Sequence, residues 1–168
     1  MKTLIVIALV LGIVVMSRAQ DCSYWVAHVD PTVPRYFDQM VDEKDPKVVM
    51  SGIGCLLQQQ GKTSVGLFSG MKPETSQFVP MASIEIDALY KISMLFYGND
   101  KFAHAIALVS VPIERHGKYH EYVFNSKKYI KRAFASYRRW FEKVKEIGLE
   151  EARKQKLDPL ADSAIAWY

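Results

Sequence analysis

Residues 127 to 145, KKYIKRAFASYRRWFEKVK, constrain the fold more than any other part of the sequence. Successive residues turn by about 100° around an α-helix. With that rotation one side is aromatic and aliphatic, formed by Ile130, Ala133, Phe134, Tyr137, Phe141 and Val144. The stretch contains eight Lys and Arg residues, and the opposite side is formed by six of them: Lys128, Lys131, Arg132, Arg138, Arg139 and Lys143. Ser126 can cap the helix. The pattern is typical of a nucleic-acid-binding helix, a membrane-active helix or the outer helix of a bundle.

Residues 1–20, MKTLIVIALVLGIVVMSRAQ, have the pattern of a secretory signal peptide. A basic start at Lys2 precedes an apolar run from Leu4 to Met16, and the small residue Ala19 stands near the end. The run is shorter than the ~20 apolar residues that a transmembrane helix needs. We therefore expect export, with residues 21–168 as a single mature domain. Export disfavours nucleic acid as a partner.

Other segments also show helical periodicity, so the 127–145 helix has partners to pack against. We expect helices at residues 34–43, 46–60, 80–97 and 101–111, the last capped by Asp100 and ended by Pro112. Gly and Pro residues make 61–80 a long connection, and 113–125 links the last two helices. The sequence predicts an all-α protein, an up-and-down bundle of four to five helices.

Charge is concentrated in the same part of the chain. Without residues 1–20, the chain has 20 basic and 18 acidic residues, and residues 118–156 hold 12 of the basic and 5 of the acidic ones. Such a basic segment on an acidic body orients a protein toward an anionic partner, although a merely solvated helix face has the same composition. The candidate partner- or membrane-binding residues are Lys127, Lys128, Lys131, Arg132, Arg138, Arg139, Trp140, Lys143 and Lys145.

The two cysteines, Cys22 and Cys55, allow three arrangements. In an oxidising compartment they can form an intramolecular disulfide that ties the N-terminal segment to the body. They can also stay as two unpaired thiols, or Cys22 can bridge to another chain. Residue spacing alone leaves the three arrangements open.

Catalytic chemistry has little support in the sequence. His116 and His120 lie near Glu121, but two histidines without a recognisable third ligand are weak evidence for zinc. The glycines form neither a phosphate-binding loop nor a nucleophile elbow. We expect a non-enzymatic binding protein with no catalytic residues, no metal and no cofactor.

The segment SYWVAHVDPTVPRYFDQMV, residues 23–41, resembles the mature N-terminus of the gastropod egg-lysin family of sperm acrosomal proteins. The likeness lies in Trp25 close to His28, then Val29-Asp30-Pro31, then a basic-x-Phe-acid step from Arg35 to Asp38. The secretory signal, the length, the helical pattern and the basic aromatic helix agree with the family. The specific likeness covers about a fifth of the mature chain.

The resemblance implies a helical bundle that acts in fertilization without catalysis, stored in the sperm acrosomal vesicle and released outside the cell. In one branch, lysin proper, the family opens the egg vitelline envelope by binding its glycoprotein. In the other, fusagenic branch it promotes fusion of sperm and egg membranes. The implied partner is thus a vitelline-envelope glycoprotein or an anionic membrane, and a homodimer fits the family pattern. Independently of the resemblance, exposed aromatics such as Trp140, or Trp167 and Tyr168 at the C-terminus, could insert at an interface. The alternatives are that Trp140 is a core-edge residue and that Trp167 belongs to a C-terminal tail docked on the bundle.

The chain also departs from the lysin pattern. A mature net charge of only +2, a single basic helix and the two cysteines favour a divergent member. The alternative from another class is a secreted helical carrier, whose Met and Phe residues would line a pocket for a small apolar ligand, although such residues usually fill a core.

Overall fold

The computed structural model describes residues 22–34, 43–67, 81–98, 102, 104–116 and 121–168. Within them the chain is mainly helical, as the periodicity predicted. The α-helices are α1 (Cys22–Val26), α2 (Pro46–Leu56), α3 (Ile84–Tyr97), α4 (Lys127–Ile147) and α5 (Leu149–Lys154), and a 3-10 turn, Leu57–Gln59, follows α2. The strands are β1 (Leu108–Ser110), β2 (Arg115–His116), β3 (Glu121–Tyr122) and β4 (Ile165–Trp167). The predicted signal peptide, the Asp100 cap and most of the predicted 34–43 helix and 61–80 connection lie outside the described residues.

Helix α2 begins as its sequence predicts. The Asp45 carboxylate accepts a hydrogen bond from the Lys47 backbone N–H at 2.8 Å, and Pro46 occupies the first turn, where its missing N–H costs nothing. Gly52 lets Trp25 of α1 lie directly against the helix, since a Cβ at this glycine would stand 2.5 Å from the indole ring. The close approach holds the fully buried Trp25 between α1 and α2.

Helix α3 is the central helix of the fold and packs against both α2 and α4. It begins at Ile84, later than the Pro80 that the sequence suggested. The reason is that Ala82 and Ser83 pair with the preceding loop, where the Ala82 carbonyl accepts from the Gly66 N–H at 2.9 Å and Ser83 bridges Val65. The helix ends at Gly98, whose φ of 98° favours glycine.

The predicted helix at residues 101–111 is wrong where the structure describes this segment. Leu108–Ser110 is instead strand β1, which pairs antiparallel with β4 in the register Leu108↔Trp167, Val109↔Ala166 and Ser110↔Ile165. All three β1 residues are buried. A short apolar run buried on every side fits a strand as well as a helix, and here pairing with β4 decides for the strand.

The predicted link at 113–125 contains a second antiparallel pair, β2 with β3, in the register Arg115↔Tyr122 and His116↔Glu121. Strands β1, β2 and β3 lie in the chain between α3 and α4, and β4 follows α5. The fold is therefore a helical core with two small β-ribbons, which differs from a plain succession of helices.

The core lies where α1, α2, α3 and α4 meet. Its largest fully buried side chains include Trp25, Ile53, Leu89, Phe134 and Tyr137. Helix α5 closes one end, because Arg153 donates hydrogen bonds to the carbonyls of Leu95 and Phe96 at the end of α3, at 2.8 and 3.0 Å. Those carbonyls have no partner within their own helix, so the guanidinium caps α3.

Candidate functional site: the basic face of α4

Helix α4 has one buried, mostly apolar side and one exposed, mostly charged side. Ser126 caps it, with its Oγ accepting from the Tyr129 N–H at 3.2 Å, and Gly148 ends it with a φ of 87°. The buried residues are Tyr129, Ile130, Ala133, Phe134, Ser136, Tyr137, Trp140 and Val144. These residues lie in the core, so α4 is the outer helix of a packed domain and not a free membrane peptide.

The eight Lys and Arg residues of α4 that were predicted to bind a partner are all exposed. We call them the basic face: Lys127, Lys128, Lys131, Arg132, Arg138, Arg139, Lys143 and Lys145. At 1.5 Å rise per residue, the face extends for about 27 Å along the helix. A surface of this length can contact several anionic groups at once.

Helical rotation divides the basic face into two rows. Lys127, Lys131, Arg138 and Lys145 fall within about 40° of one another, and Lys128, Arg132, Arg139 and Lys143 fall within about 60°. Ala135 and Glu142 lie between the rows. We call these the first row and the second row.

Three cations of the basic face have partners inside the protein. Arg138 donates to the Leu57 carbonyl at 3.3 Å and lies 5.7 Å from the centre of the Phe134 ring. Lys145 pairs with Glu142 and lies over Phe141, and Lys128 is 3.9 Å from the Glu114 carboxylate. Of these three cations, Arg138 is the one that joins α4 to the 3-10 turn.

The other five cations have no ion-pair partner within the part of the chain that the structure describes. They are Lys127, Lys131, Arg132, Arg139 and Lys143. Three of them belong to the second row, which is therefore the more available of the two for an external anion. Exposed cations of one sign on one helix create a local positive potential that attracts anionic partners.

The structure contradicts the prediction of Trp140 as a partner-binding residue and agrees with the alternative of a core-edge position. Its side chain is only 6% exposed, its indole N–H donates to the Leu157 carbonyl at 3.1 Å, and its ring meets Phe96 edge-on at 4.9 Å. Trp140 stands three residues after Tyr137 and four before Val144, which places it on the buried side of the helix. It belongs to the core and is not part of the basic face.

Trp167 and Tyr168, also predicted at an interface, differ from each other. Trp167 is half-buried, and its indole N–H donates to the Tyr137 hydroxyl at 3.0 Å. Its ring packs edge-on against Tyr90 at 5.3 Å. Tyr168 is exposed and contacts the rings of Tyr122 and Phe124. Of the two aromatics, only Tyr168 is placed to meet a partner.

Cys22 and Cys55 form an intramolecular disulfide, the first of the three arrangements that the sequence allowed. The bond joins α1 to α2 and closes a loop across 33 positions of sequence separation. It reinforces the contact between Trp25 and Gly52. A crosslink of this kind stabilises chiefly by restricting the unfolded chain.

The side chains of His116, His120 and Glu121, the weak zinc candidates, lie outside the described residues. Within the described residues, no cluster of three or more His, Cys, Asp or Glu side chains has the arrangement of a metal site. Every helix in the same residues is too short or too polar to cross a bilayer.

Sequence reasoning missed a second exposed surface. Val111, Ile113, Tyr122 and Tyr168 are all exposed and lie on the β2–β3 hairpin and its neighbours. The run of aromatic and β-branched residues Tyr122, Val123 and Phe124 was a signal for a strand. Its significance depended on the hairpin pairing, which the sequence did not reveal.

Comparison of the chain with models of protein families, with curated proteins and with solved structures finds no match in any of the three. Function is therefore inferred from the geometry of the described residues and from the resemblance of residues 23–41.

Proposed function

We propose that the chain is a non-enzymatic, secreted protein of fertilization that binds an anionic egg surface through the basic face of α4. The observation that carries the proposal is the different use of the two sides of this helix: most of its apolar side is buried in the core, while all eight Lys and Arg residues are exposed. The apolar side is occupied, so an external partner meets the charged side.

Electrostatics gives the proposed contact its strength. Each cation near a charged membrane contributes about 1 kcal/mol, and five cations of the basic face have no internal ion pair in the described residues. A vitelline-envelope glycoprotein that carries acidic groups would be attracted in the same way. In both cases the attraction falls as salt screens the charges.

The likeness of residues 23–41 to the egg-lysin family supports the biological setting: storage in the sperm acrosomal vesicle, release outside the cell, and action on the egg. An up-and-down order of four to five helices remains a prediction from the helical periodicity, and a homodimer remains a prediction from that likeness. The carrier alternative has less support, since Phe96 and Phe134, which would have lined its pocket, pack in the core.

The test uses a variant that removes only cations without internal partners: Lys131→Gln, Arg132→Gln, Arg139→Gln and Lys143→Gln together. Arg138 is kept because of its bond to Leu57. A matched control removes four exposed cations elsewhere: Lys47→Gln, Lys62→Gln, Lys154→Gln and Lys156→Gln. Both variants lose the same net charge, so a difference between them reports the position of the charge.

The assays are leakage and mixing of phosphatidylserine-containing vesicles, and dissolution of isolated egg envelopes. We expect the α4 variant to lose most activity in one assay at physiological salt while the control retains it. Vesicle mixing without dissolution would select the fusagenic branch, and dissolution without mixing the lysin branch. Full activity of the α4 variant in both assays, or equal loss in the control, would refute a role for the basic face.

A further inference from the structure

Most of the large apolar side chains that are exposed in the described part of the chain lie on or beside the β2–β3 hairpin. Six large hydrophobic residues are exposed within the described residues, and four of them belong to or flank the β2–β3 hairpin. Val111 is 55% exposed, Ile113 44%, Tyr122 39% and Tyr168 45%. Together with the half-buried Phe124 we call them the hairpin patch. A clustered apolar surface marks an interaction site more often than scattered single residues do.

Strand pairing brings three members of the patch, Ile113, Tyr122 and Phe124, onto one surface. Tyr122 stands opposite Arg115, and the Val123 N–H donates to the Glu114 carbonyl at 3.3 Å, which continues the antiparallel register. Ile113 therefore stands opposite Phe124, on the same side of the hairpin as Tyr122, because side chains alternate along a strand. Both aromatic residues and Ile113 thus share one surface.

Ring contacts join Tyr168 to this surface. Its ring centre is 5.7 Å from that of Tyr122 and 5.1 Å from that of Phe124, and the last two are 5.9 Å apart. The three rings are mutually tilted, with interplanar angles from 39° to 74°. The three rings therefore form a compact cluster that has no flat aromatic surface.

Hydrogen bonds of the Ser110 side chain stabilise the turn before β2. The Ser110 hydroxyl donates to the Pro112 carbonyl at 2.7 Å and accepts from the Glu114 N–H at 2.9 Å. This small network fixes the backbone around Val111 and Ile113 while their side chains stay exposed. The turn thus presents its two β-branched aliphatic residues on a fixed backbone.

Positive charge borders the patch. The Arg115 guanidinium lies 4.8 Å from the centre of the Tyr122 ring and donates to its hydroxyl at 3.1 Å. Glu114 approaches Lys128 of the basic face at 3.9 Å and accepts from the Tyr129 hydroxyl at 2.7 Å. The patch therefore adjoins the N-terminal end of the basic face.

We propose that the hairpin patch is a membrane-docking surface, which seats its aliphatic and aromatic side chains in the interface of an anionic bilayer while Arg115 and the basic face bind the headgroups. The inference deepens the proposed function, on which it rests, by naming lipid as the partner. Tyr side chains favour the bilayer interface, and aliphatic chains gain from transfer to hydrocarbon. Sugars bind proteins mainly by stacking on flat aromatic rings, whereas hydrocarbon chains also pack against aliphatic side chains such as Val111 and Ile113. The two aliphatic side chains therefore favour lipid over glycan as the partner.

Binding to sedimenting vesicles tests the surface. Val111→Ser with Ile113→Ser should weaken partition into phosphatidylcholine–phosphatidylserine vesicles by about tenfold or more, since two aliphatic side chains lose their apolar burial. The matched control, Val65→Ser with Met81→Ser, removes the other two exposed hydrophobic residues and should bind normally. The patch defect should persist at high salt, where the Gln variant of the basic face no longer differs from the native chain.

A fluorescence reporter tests insertion directly. Brominated lipids should quench the added emission of an Ile113→Trp variant but not that of Met81→Trp. Unchanged vesicle binding of the Ser variant, together with unquenched Ile113→Trp, would overturn the inference. So would a Ser variant that lost binding only to egg-envelope glycoprotein, or that changed only the oligomeric state in light scattering. Failure of the proposed function would instead be visible as a basic-face Gln variant that behaves like the native chain.

Discussion

Helices α3 and α4 carry charged residues in opposite ways. Nearly every residue of α3 is buried, including Glu85, Asp87 and Lys91, whereas α4 buries one side and exposes all its Lys and Arg residues. The central helix is enclosed by neighbours, and the outer helix covers the core from one side. Charge on α3 therefore serves the fold, and charge on α4 is available for a partner.

The charged groups of α3 illustrate the structural use of charge. Lys91 pairs with Glu43 at 3.1 Å, and the Glu85 carboxylate accepts from the Gly61 N–H at 2.7 Å. Both contacts join α3 to residues outside the helix and compensate the groups for their loss of water. On α4, by contrast, no comparable enclosure exists around Lys131 or Arg139, which are exposed.

The largest expected effect concerns the core side of α4. Phe134 is fully buried, so Phe134→Ala should lower the free energy of unfolding by about 3–5 kcal/mol, through lost burial and the cavity left behind. Phe141→Ala is the control on the same helix, because Phe141 is only half-buried, beside Gly54. Urea denaturation of both variants measures the difference. Equal losses would contradict the assignment of the two sides of α4.

A smaller difference in stability is expected between loss of a buried Lys of α3 and loss of an exposed Lys of α4. Lys91→Met keeps the aliphatic stem but leaves the partly exposed Glu43 carboxylate without its cation, so we expect a loss of about 1–3 kcal/mol. The same change at Lys131 on α4 should alter stability by less than about 0.5 kcal/mol. Thermal unfolding at one pH and salt compares them. If Lys131→Met proved as costly as Lys91→Met, the contrast between the helices would disappear.

A buried hydroxyl network connects α3, α4 and β4. The Tyr137 hydroxyl forms a short hydrogen bond with the Ser93 Oγ and accepts from the Trp167 indole N–H at 3.0 Å. Tyr137→Phe keeps the ring and leaves the indole N–H without this acceptor, so it should cost about 1–3 kcal/mol. Tyr122→Phe, at an exposed tyrosine, is the control and should cost much less. Calorimetry of the two variants gives the comparison.

The raised pKa of Tyr137 makes the stability of the protein depend on pH. Burial raises the pKa of Tyr137, and the hydrogen bonds from Ser93 and Trp167 oppose that rise only in part. The unfolded chain ionises its tyrosines near pH 10, where folded Tyr137 still keeps its proton. Stability should thus be fully present below about pH 10 and fall as pH rises further. Denaturation at alkaline pH should show a shallower fall for Tyr137→Phe; an identical fall would contradict a neutral, buried Tyr137.

The predictable parts of the fold are those coded locally. Ser126 and the strict division of residues 127–145 predicted α4 and the position of its cations, because a helix makes its contacts between near neighbours in sequence. Pro46 predicted the start of α2 for the same reason. The basic face was therefore visible in the sequence before any tertiary contact was known.

The unpredicted parts depend on residues distant in sequence. Strand β1 exists because Leu108 meets Trp167, and no local pattern indicates that partner. The hairpin patch depends on the same kind of pairing, together with the ring of Tyr168. Cys22 and Cys55 were visible as a candidate pair, but their approach depends on the packing of α1 on α2.

The smallest expected effect divides two adjacent residues of the basic face. Arg138 bonds to the Leu57 carbonyl and stacks near Phe134, whereas Arg139 has no ion pair in the described residues. Arg138→Gln should lower stability by about 0.5–1 kcal/mol, and Arg139→Gln by less than about 0.5 kcal/mol. Binding to anionic vesicles should rank them the other way, since Arg139 has its full charge available for headgroups while Arg138 is partly held by the protein. Chemical denaturation and vesicle sedimentation on the same two proteins measure both rankings. Identical ranking in the two assays would mean that stability alone controls binding, and the separation of structural from binding cations on α4 would be wrong.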